Sequence, residues 1–238
     1  MWLRAATLAL IPALVIQGSR VKKNTIRLPE AEGEREGITG QGQTLSLLIL
    51  GDSAAAGVGV AHQNDALLGA VVSALQHQYQ VHWRLEAQSG DTTSQLIQKI
   101  KKMVNQKYDV VVTSVGVNDV TRLMPARTWI KQQQQFYQLI QAKFHPELII
   151  ATGVPPMHLF PALPNPLSWL FGQYAKKMNL QLEKMIVQQE DMQWIEYDIQ
   201  KYQSMDLEMA KDGFHPSKEV YAVWGRQVAA IVRQSFNS

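Results

Sequence analysis

The chain has 238 residues, 46% hydrophobic and 18% charged, which is material for one sizeable core and fits a single α/β domain. Its formal charge of +3 is spread unevenly: the first 37 residues hold six Lys and Arg against four Asp and Glu, leaving 17 against 16 beyond, so no basic face for nucleic acid is expected. The absence of cysteine excludes disulfides, a thiol nucleophile and a Cys-ligated zinc site, and leaves the compartment open.

At the N-terminus, Arg4 precedes an apolar run over residues 5–16, interrupted by Pro12 and followed by Arg20, Lys22, Lys23 and Arg27. The run is too short to span a bilayer comfortably, and a secretory signal would carry its charges before the apolar stretch rather than after it. Three readings stay open: an uncleaved anchor at a membrane surface, a cleaved signal, or a helix packed on the domain. The first two point to a membrane-associated or envelope protein, while the third leaves the cytoplasm open. Residues 28–43, LPEAEGEREGITGQGQ, read as a linker. The chain thus divides into an extension at 1–43 and a domain at 44–238.

From Thr44 onward, short β-branched or leucine-rich runs alternate with longer amphipathic stretches, the pattern of a parallel sheet flanked by helices. Strands are expected at 45–50, 81–87, 110–114, 148–152 and 193–197. Helices are expected at 64–78, 93–105, 127–143, 166–189 and 218–234. Continuous apolar strands imply a sheet covered on both faces. Ligands of such sheets bind beyond the carboxyl ends of the strands, so the residues following each strand are where chemistry is expected.

Four such places stand out. After the first expected strand, Gly51-Asp52-Ser53 puts a hydroxyl where the strand turns, close to an expected helix N-terminus whose dipole favours negative charge; Asp52 and Ser53 also suit a plain turn and cap. A dinucleotide fingerprint is set aside because GVGVAHQ lacks the third glycine, and a nucleophile elbow because Ala55 stands where its second glycine belongs. Ser89-Gly90-Asp91-Thr92 offers a glycine N–H that can approach a reacting oxygen, alongside an N-cap for the next helix. Gly116-Val117-Asn118-Asp119 offers an amide donor or a simple turn. Asp212-Gly213-Phe214-His215-Pro216 sets a carboxylate three residues before an imidazole, close enough to orient it, so that His215 can take a proton from Ser53. The other histidines, at 62, 77, 82, 145 and 158, read as structural or exposed.

Together GDS, SGDT, GVND and DGFHP resemble the ordered blocks of the SGNH (GDSL-type) serine hydrolase superfamily, over about two thirds of the chain. SGDT and DGFHP are similar to its bacterial thioesterase, lysophospholipase and arylesterase branch. The resemblance implies a flavodoxin-like three-layer α/β/α sandwich on a mostly parallel five-stranded sheet. It implies Ser53 as nucleophile, His215 as base oriented by Asp212, and an oxyanion hole of Ser53, Gly90 and Asn118, with no metal or other cofactor. The family commonly has Leu after the serine where this chain has Ala54, so substrate analogies do not carry over.

The implied reaction is hydrolysis of small or lipid-like carboxylic esters, with glycan O-deacetylation as a variant and a catalytically idle glycan- or lipid-binding module as the contrasting reading. The apolar, proline-rich residues 153–166 follow the fourth expected strand. Met157, Leu159, Phe160 and Leu163 are expected to line a substrate pocket there, against the alternative of simple packing. Trp169 and Phe171 extend the same stretch, with core packing the expected role for both.

Overall fold

The computed structural model describes residues 2–195, 197, 204, 205 and 207–236. Its centre is a six-stranded sheet in the order β1-β3-β2-β4-β5-β6, formed by β1 (Glu36–Thr39), β2 (Gln43–Gly51), β3 (Tyr79–Ala87), β4 (Val110–Ser114), β5 (Leu148–Thr152) and β6 (Met192–Ile195). Every pairing is parallel except β1 with β3, which is antiparallel. Five of these strands are those expected from the apolar runs. The sixth, β1, lies inside the stretch that reads as a linker. Its sequence EGIT is short, with the alternating exposure of an edge strand, and so carries no apolar signal. The last strand ends at Ile195 rather than Tyr197, and Glu196 lies outside the described residues.

Alternation along the strands divides the core. Leu48 and Leu50 of β2, Val111 of β4 and Ile149 of β5 face one side, whereas Leu47, Ile49, Val110, Val112 and Ile150 face the other. The first side is covered by α3 (Thr93–Lys102), α5 (Ala126–Phe144) and α6 (Leu167–Ile186), and the second by α2 (Leu67–Leu75) and α7 (Lys218–Phe236). This two-sided cover is the reason β4 and β5 are buried at every residue and read as unbroken apolar runs. Gly225 of α7 lets that helix approach α2 closely, since a Cβ there would lie 2.4 Å from the Cβ of Ala70.

A further helix, α1 (Trp2–Asn24), packs on α6 through buried Leu3 and Leu14 and half-buried Leu10. Gln17 fixes its far end by donating to the Asn165 carbonyl at 2.6 Å and accepting from the Leu167 N–H at 3.2 Å. The helix is packed on the domain with Leu8, Ile11, Val15 and Ile16 left exposed. Among the described residues, no helix is long and apolar enough to cross a membrane.

Strand β2 has β3 on one side and β4 on the other, so the chain reverses its winding direction beside β2. The crevice beyond its carboxyl end is where an open α/β sheet binds ligands. Gly51 ends this strand because a Cβ there would sit 2.5 Å from the Ser114 carbonyl oxygen. Asp52 and then Ser53 follow it.

Candidate active site

The turn after β2 is closed by its own backbone. Asp52 N–H donates to Ser114 O at 3.1 Å, Ala56 N–H to Asp52 O at 2.9 Å, and Val58 N–H to Ser53 O at 3.0 Å. The Tyr221 hydroxyl of α7 lies 2.9 and 2.8 Å from the carbonyl oxygens of Ala54 and Val58 and can donate to either, tying the turn to the helix behind it. Asp52 is buried, its Oδ1 accepting the Ala54 N–H at 3.2 Å, and burial pushes its carboxyl up to about 7.

The Asp212–Pro216 turn arrives from the opposite end of the chain. Its backbone is held by Ala210 N–H donating to His215 O and Gly213 N–H to Ala210 O, both at 2.8 Å. Gly59 allows it to come close, because a Cβ there would lie 2.2 Å from the Pro216 carbonyl oxygen. Asp212 divides its carboxylate: Oδ1 accepts the N–H groups of Phe214 and His215 at 3.0 and 3.1 Å, and Oδ2 meets His215 Nδ1 at 2.5 Å. Burial alone would raise this carboxyl, but the hydrogen bonds from the His215 ring and the two N–H groups outweigh it and hold Asp212 below its ordinary value. An ionised carboxylate only accepts, so Nδ1 carries a ring hydrogen, and in the neutral imidazole Nε2 presents its lone pair. That lone pair faces Ser53 Oγ, 2.8 Å away. The serine hydroxyl can therefore donate to an imidazole that is oriented by a carboxylate.

The two other loops meet each other. Gly90 adopts φ +87°, and a Cβ on it would touch nothing within 4 Å, so glycine is required there by conformation rather than by space. Thr92 caps α3, its hydroxyl accepting from Gln95 N–H while the Gln95 side chain accepts from Thr92 N–H at 3.1 Å. Asn118 sits in the one-turn helix α4 (Val117–Thr121) and donates its side-chain N–H to Asp91 O at 2.9 Å, leaving its second N–H for other work. Asp119 is fully buried, and burial raises its carboxyl; its Oδ2 accepts from both the N–H and the hydroxyl of Thr93, at 3.1 and 2.9 Å. Thr93 Oγ1 in turn accepts from Trp129 Nε1 and Gln133 Nε2. Sequence reasoning offered no role for Asp119 or Thr93. The GVND block contained the signal, an acid beside the amide, but its partner lies 26 residues away.

The apolar loop departs from expectation. Met157, Phe160 and Leu163, expected as pocket lining, are buried in the core beneath the sheet's end, and Phe171 joins them. Phe160 packs edge-on to Phe214 with ring centroids 5.9 Å apart, and a Cβ on Gly213 would lie 3.1 Å from Ala162 Cβ, so this loop buttresses the histidine turn. Of the four residues expected to line a pocket, Leu159 alone is exposed. A cleft of about 410 Å³ adjoins the Gly90 turn, lined by Glu30, Arg35, Glu86, Ala87, Gln88 and Lys99.

The model of the GDSL-like lipase/acylhydrolase family matches residues 49–223. No curated relative matches the sequence. Among solved structures, the fold is similar to a member of the lipolytic protein G-D-S-L family from Veillonella parvula, with a TM-score of 0.63 at 13% identity over 79% of this chain and 97% of that one. It is also similar to an esterase from Pseudoalteromonas inhibited by monoethylphosphonate, with a TM-score of 0.58 at 16% identity over 81% and 99%. A carbohydrate esterase family 2 enzyme with a carbohydrate-binding domain, from Corynascus thermopiles, gives a TM-score of 0.66 at 14% identity over 84% of this chain and 69% of that one.

Proposed function

The chain belongs to the GDSL-like lipase/acylhydrolase family and is an ester-hydrolysing enzyme, and from that premise we propose a serine carboxylesterase acting through an acyl-enzyme on Ser53. The observation that carries this reading is the continuous hydrogen-bonded line from Ser53 Oγ through His215 to Asp212. Ser53 Oγ attacks the ester carbonyl carbon while its proton passes to His215 Nε2. The charge on the carbonyl oxygen is held by the N–H groups of Ser53 and Gly90 and by the second side-chain N–H of Asn118. Collapse breaks the bond to the alcohol oxygen, which takes the proton from His215. Water then gives a proton to His215 as it attacks the acyl carbon, and the carboxylic acid leaves with Ser53 restored. Asp212 stays ionised throughout and stabilises the imidazolium that forms twice per turnover.

The substrates proposed are small or lipid-like esters, with glycan O-acetyl groups as the variant of the same chemistry. Burial of Met157, Phe160 and Leu163 removes them from the proposed pocket wall and leaves Leu159 as its candidate from that loop. For lipid-like esters the support is α1. Its exposed row of Leu8, Ile11, Val15 and Ile16 leads into exposed Arg20, Lys22, Lys23 and Arg27, a combination suited to an anionic bilayer surface. An idle binding module is set aside because the site retains all three members of the Ser53, His215 and Asp212 line.

The test is hydrolysis of p-nitrophenyl esters from acetate to palmitate by the wild type and Ser53→Ala. Turnover that disappears with Ser53→Ala supports the reading, and the best chain length measures the pocket. A folded enzyme inert on the whole series but releasing acetate from an acetylated glycan would select the glycan variant.

A further inference from the structure

Residues 30–36 run past both loops of the site. At one end, Ala31 N–H donates to Ala56 O at 3.3 Å, and the buried Gln63 side chain donates to the carbonyl oxygens of Ala31 and Ala56 at 3.1 and 3.0 Å. The fit to the serine turn is close: a Cβ on Gly57 would lie 2.7 Å from Ala31 Cβ. The adjacent Glu30 reaches the other loop: its Oε1 accepts the Ser89 N–H at 2.6 Å, and its Oε2 accepts from Arg35 Nη2 at 2.5 Å. Arg35 also donates through Nη1 to Ala87 O at 2.7 Å, while its own carbonyl accepts from Leu85 N–H at 2.7 Å. The chain then enters β1 and the sheet.

We propose that this segment is a strap belonging to the catalytic unit, with Glu30 the positioning residue that fixes the Ser89–Gly90 turn relative to the Ser53 turn. The catalytic unit accordingly begins near Glu30 rather than at residue 44. Packing does not hold the tip of the turn, since a Cβ on Gly90 would meet nothing within 4 Å. Hydrogen bonds hold it instead. Asn118 holds the Asp91 carbonyl after Gly90, and Glu30 holds the Ser89 N–H before it. The direction of the Gly90 N–H is set by the peptide between residues 89 and 90. A tether one residue upstream therefore fixes it, and loss of the tether lets the donor swing away from the developing oxyanion. Arg35 keeps the Glu30 carboxylate at that spot by holding its second oxygen.

This proposal rests on the assignment of Gly90 to the oxyanion hole, so Ser53→Ala and Gly90→Ala are measured beside the strap variants. Loosening one donor costs less than removing it, so Glu30→Ala is expected to lower kcat about tenfold with KM changed less than about twofold. Inhibition by an alkyl boronic acid, whose adduct with the serine carries an oxyanion-like oxygen, is expected to weaken by about the same tenfold at equal titrated active sites. Glu30→Gln keeps an acceptor for Ser89 N–H and is expected to stay within about threefold of wild type. If Glu30→Ala fails to fold, Arg35→Met supplies the reading: a decrease of about threefold in kcat with parallel weakening of the boronate supports the strap. Unchanged kcat and unchanged boronate affinity in the folded strap variant overturn it. Activity retained by Ser53→Ala would instead overturn the site assignment itself.

Discussion

Asn118 donates a side-chain N–H to the carbonyl of Asp91 at 2.9 Å, so the amide that follows β4 is fastened to the glycine turn that follows β3. The two non-serine donors proposed for the oxyanion are thereby a single unit. Asn118→Ala removes one proposed donor and loosens the other, which Glu30 still tethers. Its cost in kcat is expected at the upper part of the usual range for one oxyanion donor, about 10³-fold rather than 10²-fold. Steady-state rates on the best p-nitrophenyl ester check this, and wild-type kcat in Asn118→Ala would remove Asn118 from the mechanism.

Asp212 does two jobs with two oxygens, shaping the turn through the Phe214 and His215 N–H groups and orienting the ring through Nδ1. Asp212→Asn can keep Oδ1 as an acceptor for both N–H groups, but its NH2 then faces Nδ1. The ring hydrogen moves to Nε2, where it can no longer accept from Ser53. The fold is expected to survive while kcat falls about 10⁴-fold, as for the same change in other serine triads. Circular dichroism and burst kinetics separate the two effects.

The sheet and the Ser53, Asp212 and His215 line were legible because each leaves a local mark: unbroken apolar runs for strands buried on both faces, and short polar motifs at their carboxyl ends. Strand β1 was not, since EGIT reads like the polar stretch around it and becomes a strand only by pairing with β3. Nor were the Glu30–Ser89, Asp119–Thr93 and Tyr221–Ala54 contacts, which join residues 59, 26 and 167 positions apart and have no local pattern. The apolar loop misled for a different reason. Met157 and Phe160 have the composition of a pocket wall and of a core alike, and only the path of the backbone decides between them.

Asp52 predicts a pH dependence of stability. In the unfolded chain its carboxyl titrates near its ordinary 3.8, whereas burial raises it to about 7 in the fold. Between these values the native state holds a proton that the unfolded state has lost. The stability contributed by the neutral side chain is therefore full below pH 3.8 and declines as pH rises through about 7. Asp52→Asn keeps an acceptor for the Ala54 N–H and carries no charge at any pH. It is expected to melt like wild type near pH 4 and at a higher temperature near pH 8. Equal melting temperatures at both pH values would mean that Asp52 is not destabilised by ionising.

The exposed row on α1 gives the last expectation. Leu8 and Val15 are 68% and 66% exposed and two turns apart, so they share one face and can change without disturbing the buried Leu3 and Leu14 against α6. Entry of that face into the acyl boundary would remove both from water, at about 1.5–3 kcal/mol for each large side chain fully buried. The basic residues 20–27 add attraction to anionic lipid at about 1 kcal/mol each near the surface. Full-length protein is expected to co-sediment with phosphatidylglycerol vesicles more than with phosphatidylcholine vesicles. Salt should weaken the binding, because screening reduces the attraction of the exposed cations. Leu8→Glu with Val15→Glu should reduce it at least about tenfold while hydrolysis of a soluble ester is unchanged. Equal binding by wild type and the double variant would show that α1 does not enter the bilayer. Recovery of a chain beginning near Arg20, seen by intact mass, would identify the segment as one removed from the mature protein.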